Sequence, residues 1–155
     1  MNIRRMTPHD DAHVRELSVT DAQLPFVGTI QSILDGLTEY QDCHVVDVDG
    51  VLVGFFIIDR AYSQQYMFCD PADIGFRAFF VDKRFQGHGY GKQCVLALRD
   101  YLRTEYPNYP GVVLTVNCKN QKAHRIYLDG GFVDNGDLYY GGSAGPQHIL
   151  RLALD

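Results

Sequence analysis

The sequence predicts an α+β fold in a single domain spanning residues 1–155: a central mixed sheet, mostly antiparallel, flanked by about four helices. Three observations predict it. Asp49-Gly50 stands between two apolar runs, 44–48 and 51–59, as a tight hairpin turn does. A strand over 74–81 leads through three glycines into a long amphipathic helix and on to a nearly all-apolar strand at 112–116. The last third alternates in strand fashion around a glycine-rich connection, so the element order is mixed.

Taken in order, residues 2–6 read as a short strand, and Thr7-Pro8-His9-Asp10 supplies an N-cap, a proline at the first helical position and an early acid. A helix is expected over 8–19. A second covers 24–37, with Phe26, Val27, Ile30, Ile33, Leu34 and Leu37 at helical spacing, ending near Gly36. After the hairpin and the strand at 74–81, Val95, Leu98 and Leu102 share one face of a helix over 90–105, which Pro107 and Pro110 close off. Residues 117–120 lead from the apolar strand into a helix over 121–129, stopped by Gly130-Gly131. Strands then follow around 132–133, 138–140 and 148–154.

Composition narrows the function. With 46% apolar and 21% charged residues the chain is ordinary globular sequence, and its longest apolar run, 51–58, is too short for a membrane span. No targeting signal is visible, so a cytoplasmic location is expected and no membrane partner. A net charge of −5 disfavours nucleic acid and is compatible with a cationic small substrate. Cys43, Cys69, Cys94 and Cys118 form no paired unit, and His9 and His13 lack a third ligand, so neither a disulfide framework nor a metal site is expected.

The run Gln86-Gly87-His88-Gly89-Tyr90-Gly91 carries the chemistry. A strand, a loop with glycines at alternate positions and a helix make an anion site, because backbone N–H groups converge at the positive end of the helix dipole. A nucleotide P-loop is excluded, since Gly91-Lys92 is followed by Gln93 instead of Ser or Thr. A dinucleotide fold would place its glycines near the first strand with different spacing. A tight turn with no ligand is the remaining alternative for the triplet alone.

The triplet is not alone. Val81 through Lys92, with Arg84, Gln86, Gly87, Gly89 and Gly91, resembles the Q/R-x-x-G-x-G/A signature of the GNAT superfamily of acyl-CoA-dependent N-acyltransferases. Leu114-Thr115-Val116-Asn117, then Asn120, Ala123, Tyr127 and Gly131-Phe132, is similar to a second segment of that superfamily. The resemblance implies the GNAT fold, with a splayed parallel strand pair, and acetyl-CoA as co-substrate without a metal. It implies that Gln86, Gly87, His88, Gly89, Tyr90 and Gly91 hold the pyrophosphate with Lys92 and Arg84 nearby. Phe80 and Val81 would pair with the pantetheine arm, and Asn117 and Asn120 would contact the cofactor or cap the following helix.

The resemblance further assigns Tyr127 as general acid for the leaving thiolate, with a backbone N–H near Val81 facing the oxyanion. Many superfamily members carry a Glu at the position of Gly75, so Asp73 is the substitute base, or a water chain serves. The ending from Tyr139 to Leu152 resembles bacterial polyamine acetyltransferases, which makes a small-molecule amine, a polyamine among them, the expected acceptor. Tyr62, Tyr66, Tyr139 and Tyr140, with Glu39 or Asp70, are candidates for its pocket. An amino acid, an aminoglycoside-like drug, a protein N-terminus and a non-catalytic acyl-CoA-binding module stay open. The apolar tail 149–154 suggests a homodimer through a sheet edge.

Overall fold

In the computed structural model, which describes residues 1–155, Asp49 and Gly50 both take positive φ, 52° and 84°, and turn β2 (Gln41–Val48) back against β3 (Val51–Asp59). Strand β1 (Asn2–Arg5) flanks β2, and β4 (Ile74–Val81) flanks β3, all antiparallel. Beyond β4 come β5 (Gly111–Asn117), β7 (Gln147–Ala153) and β6 (Val133–Tyr139), giving the order β1-β2-β3-β4-β5-β7-β6. One pair alone is parallel. β4 and β5 meet only at Ile74 with Val112 and Gly75 with Val113, and part thereafter, which is the expected splay.

Alternation along β2 and β3 divides the core between the two faces. Val46, Phe56 and Ile58 pack with Leu98 and Leu102 of α5 (Tyr90–Glu105) and Tyr127 of α6 (Gln121–Asp129). Val45, Phe55 and Ile57 point the other way, against Val14, Leu17, Val19 and Ile30. Both long helices have the bounds their sequence predicts.

The first two helices do not. In place of one helix over 8–19 there is a 3₁₀ turn, Pro8–Asp10, and a single α turn, α1 (Asp11–Val14). Tertiary bonds take over beyond it. Ser18 N–H donates to Asp82 Oδ2 at 2.8 Å and the Ser18 carbonyl accepts from Lys83 N–H at 2.8 Å, while Leu17 and Val19 stay buried outside any helix. The helix expected over 24–37 is split into α2 (Leu24–Val27) and α3 (Ile30–Asp35) by Gly28, whose φ of 87° is left-handed, and by Thr29, whose hydroxyl caps α3 through Ser32 N–H at 3.1 Å. Sequence periodicity also misses α4 (Tyr62–Gln65), a single turn that sets Tyr62 against Gly75.

The C-terminal strands are longer than predicted and differently placed. β6 runs unbroken through Gly136, whose φ is 90°, with a register shift between Asp134 and Leu138. The apolar tail lies in β7, between β5 and β6, so its edges are already paired and it offers no sheet edge to another chain. No helix is long and apolar enough to cross a membrane.

Candidate active site

Where β4 and β5 part, they open a cavity of about 1000 Å³ that residues of both strands, α2, α3, α5 and α6 line. A β-bulge shapes its floor. Phe55 pairs with Phe80 and Ile57 with Arg77, so Ala78 and Phe79 together face Phe56, and Ala78 takes a left-handed φ of 56°. Such a conformation costs a non-glycine residue about 1–2 kcal/mol and takes backbone groups out of the ladder.

The glycine loop is held from behind by Asp82. Its carboxylate is fully buried and accepts from Arg84 N–H and Arg84 Nε at 2.8 Å and from Ser18 N–H at 2.8 Å. Burial alone would raise its pKa, but these hydrogen bonds and the Arg84 charge outweigh it and keep the carboxyl below the ordinary aspartate range. Gln86 continues the support: its Nε2 donates to the Val81 carbonyl at 2.8 Å and to Gln23 Oε1 at 2.9 Å. Gly87 and Gly89 adopt φ of 86° and 80°, and Gly89 brings the chain into α5 without a side-chain cap, leaving the first N–H groups of that helix free. Gly87, Gly89, Tyr90, Gly91 and Lys92 line the cavity with Gln86, Phe80 and Val81. Arg84 and His88, expected beside the phosphates, do not: Arg84 is committed to Asp82, and His88 packs outward on Tyr90 at 5.8 Å between ring centres.

Across the cleft, Asn117 Nδ2 donates to the Ala144 carbonyl at 2.9 Å and its Oδ1 accepts from Lys119 N–H at 2.9 Å, tying the end of β5 to the loop before β7. Asn120 Oδ1 caps α6 through Ala123 N–H at 3.3 Å. Both side chains line the cavity. So does Tyr127, which is edge-on to Phe76 and Phe132 at 6.2 Å and 5.5 Å. Burial first, and Cys94 second, raise its pKa and keep the phenol protonated.

Asp73 requires a correction. Rather than facing the cleft as a base, its buried carboxylate is gripped by Arg151 Nε and Nη2 at 2.8 Å and 3.1 Å, which pins the start of β4 to β7, and it does not line the cavity. Gly75 is explained by Tyr62 of α4: a Cβ there would sit 2.2 Å from the Tyr62 ring. Tyr62 packs on Tyr66 at 4.6 Å, and Tyr66 meets Tyr139 edge-on at 5.5 Å, so three of the four expected tyrosines form one cluster. Tyr140 is exposed, and neither Glu39 nor Asp70 lines the cavity. Sequence reading missed Arg77, Lys122 and Arg125, which do. An arginine inside the otherwise apolar Ile74–Val81 strand was the available signal for the first.

One group of potential metal ligands exists, His124, Asp134 and His148. His124 Nε2 and His148 Nδ1 lie 3.0 Å and 3.4 Å from the same Asp134 oxygen, with the rings stacked at 4.1 Å. Parallel rings cannot both aim an in-plane lone pair at one ion, so the group serves as a carboxylate shared by two imidazoles that ties α6 to β6 and β7.

Comparison with known proteins agrees with this geometry. The profile of the acetyltransferase (GNAT) family matches residues 12–132. The chain is 28% identical to a spermine/spermidine N(1)-acetyltransferase of Bacillus subtilis over 92% of its length and 93% of that protein's. In fold it resembles an aminoglycoside acetyltransferase AAC(6')-Ib in complex with coenzyme A (TM-score 0.75, 21% identity, 97% of this chain and 93% of that one). It also resembles a spermidine N-acetyltransferase SpeG chimera from Vibrio cholerae and hSSAT (TM-score 0.71, 17% identity, 99% and 97%). With its glycine loop, splayed strands and family match in agreement, the chain belongs to the acetyltransferase (GNAT) family.

Proposed function

We propose that the enzyme moves the acetyl group of acetyl-CoA directly to a primary amine of a small molecule, with Tyr127 as general acid. What carries this reading is the meeting, in one cleft, of diverging β4 and β5, the uncapped start of α5 and a buried, protonated tyrosine. The residues suit the donor. Lys92, Lys122 and Arg125 line the cleft as cations for phosphate groups. Gly91 has room for a Cβ, 3.7 Å from Val81, so packing within the chain does not demand glycine there, whereas a ligand lying against the helix start does. Gln86, Gly87, Gly89 and Tyr90 complete the pyrophosphate site, Phe80 and Val81 offer the strand edge to the pantetheine amides, and Asn117 and Asn120 border it.

Bound acetyl-CoA supplies the thioester carbon: the amine nitrogen bonds to it, the C–S bond breaks, and CoA leaves as the thiol while the amine sheds one proton. Backbone N–H groups freed at the Ala78-Phe79 bulge serve the developing oxyanion. Tyr127 holds the proton that the sulfur takes, and burial keeps it there through the neutral range. An alkyl amine must first lose its own proton, at about 4–5 kcal/mol near pH 7. With no carboxylate lining the cleft, water carries that proton out.

Tyr127→Phe tests the assignment. Expected is a fall in kcat of roughly 10²–10⁴-fold with acetyl-CoA affinity nearly unchanged, read as thiol release under saturating donor. Undiminished turnover would remove Tyr127 from the chemistry. Tight donor binding with no turnover for any amine or peptide would instead make the protein an acyl-CoA-binding module.

A further inference from the structure

The cleft sorts its charges. All Lys, Arg, Asp and Glu side chains that line it are cations: Lys92, Lys122 and Arg125 toward the donor, and Arg77 toward the tyrosine cluster. Arg77 is held firmly. Its Nη1 donates to Asp59 Oδ2 at 3.2 Å and Gln65 Oε1 at 3.1 Å, and its guanidinium carbon lies 5.8 Å and 5.6 Å from the Tyr62 and Tyr66 ring centres. The other edge, Nε and Nη2, has no partner within the chain. Elsewhere in this protein that same edge of an arginine grips a carboxylate, where Arg151 holds Asp73.

We propose that the acceptor is an amino carboxylate, an amino acid with an apolar or aromatic side chain, whose carboxylate is bound by the Nε–Nη2 edge of Arg77. This rests on the acetyltransferase reading of the same cleft. A planar guanidinium edge presents two parallel donors matched to the two oxygens of a carboxylate, and an ammonium has nothing to offer it. Asp59, the nearest carboxylate, is buried and already accepts from Arg77, Gln41 and Ala61 N–H, so it is not free to receive a second ammonium of a polyamine. Arg77 directly precedes the Ala78-Phe79 bulge on β4, and its guanidinium runs back along the strand to Asp59, opposite Gly75, so a carboxylate held there lies beside the tyrosine cluster on the acceptor side of the cleft. Tyr62, Tyr66, Phe76 and Tyr139 supply the apolar surface for the side chain. Relatives named for polyamines share 28% of their residues with this chain, and acceptor loops change far more readily than the scaffold beneath them.

The test uses the full chain saturated with acetyl-CoA and compares aromatic and aliphatic amino acids, their amides, and spermidine, in wild type, Arg77→Gln and Arg77→Lys, with folding checked by thermal melting. Binding of each amino acid to the CoA-loaded protein is measured separately by calorimetry. Expected is a kcat/KM at least about 100-fold higher for the free acid than for its amide, falling to near parity in Arg77→Gln and partly kept in Arg77→Lys. Spermidine turned over better than every amino acid, or an acid-to-amide ratio indifferent to Arg77→Gln, overturns the proposal and leaves the acetyltransferase reading intact. Arg77-dependent binding without turnover does the reverse: it supports the amino carboxylate site and refutes the transfer reaction. The absence of both binding and turnover for every amino acid refutes the site.

Discussion

The two halves of the cleft are built from different materials. On the donor side the working parts are mostly main chain: two diverging strands, a loop with left-handed Gly87 and Gly89, and the open start of α5, with Lys92, Lys122 and Arg125 as added cations. On the acceptor side they are side chains delivered from distant elements, Tyr62 and Tyr66 from the α4 segment, Arg77 from β4 and Tyr139 from β6. A backbone site needs particular residues at fixed spacing in one continuous stretch, so it leaves a motif. A site made by convergence leaves only single residues scattered over the chain.

Among substitutions that separate the two halves, the largest expected effect comes from forcing a side chain onto Gly75. Gly75→Val puts atoms where Tyr62 now lies, 2.2 Å from its ring, and overpacking of this kind costs about 1–3 kcal/mol. Displacing Tyr62 also loosens Tyr66 and the ring face behind Arg77. We expect acceptor kcat/KM to fall on the order of 100-fold while the dissociation constant for CoA stays within a few-fold, measured by steady-state kinetics and calorimetry on the same preparation. Equal losses on both sides would show that the halves are one unit.

The mirror experiment is Gly87→Ala. Nothing lies within 4 Å of an added Cβ, so the cost is conformational alone, about 1–2 kcal/mol for φ of 86°. We expect the free loop of the variant to relax from this φ, so that CoA must restore it and affinity weakens by up to roughly 10-fold, one tenfold step per 1.4 kcal/mol, with the acid-to-amide preference among acceptors unchanged. A shift in that preference would mean that the loop reaches the acceptor.

The same contrast explains which parts of the molecule could be read from residues alone. The hairpin at Asp49-Gly50, strand β4, helices α5 and α6 and the glycine loop each depend on local chemistry and appear where the sequence puts them. Apart from the local break at Gly28-Thr29, the segments that departed are those decided at long range. The helix expected over 8–19 stops because Asp82, more than sixty residues away, claims Ser18. Asp73 had the right sequence position for a base, yet Arg151, brought alongside by the pairing of β5 with β7, takes both of its oxygens. Arg84 and His88 shared the loop's sequence but not its inward face.

A third region, in the core outside the cleft lining, gives the smallest and most even effect. His44 is fully buried, stacked 4.8 Å from Phe56 and bonded to the Tyr101 and Tyr106 hydroxyls at 2.7 Å and 2.9 Å. Burial first, then the Arg5 charge, lower its pKa to about 3 against the partial opposing pull of Asp42. An unfolded histidine titrates near 6.5, so between these values the unfolded chain binds the extra proton and stability rises with pH. The contribution is therefore complete above about pH 6.5 and lost as pH falls toward 3, at up to about 1.4 kcal/mol per pH unit. His44→Gln should melt lower at neutral pH but show a shallower decline in melting temperature between about pH 6 and pH 4. Because the loss is global, donor binding and acceptor turnover, the latter corrected for the shrinking fraction of unprotonated amine, should fail together on acidification in the wild type. If turnover fails at a pH where CoA still binds and the chain is still folded, an ionisation within the acceptor half, and not His44, sets the acid limit.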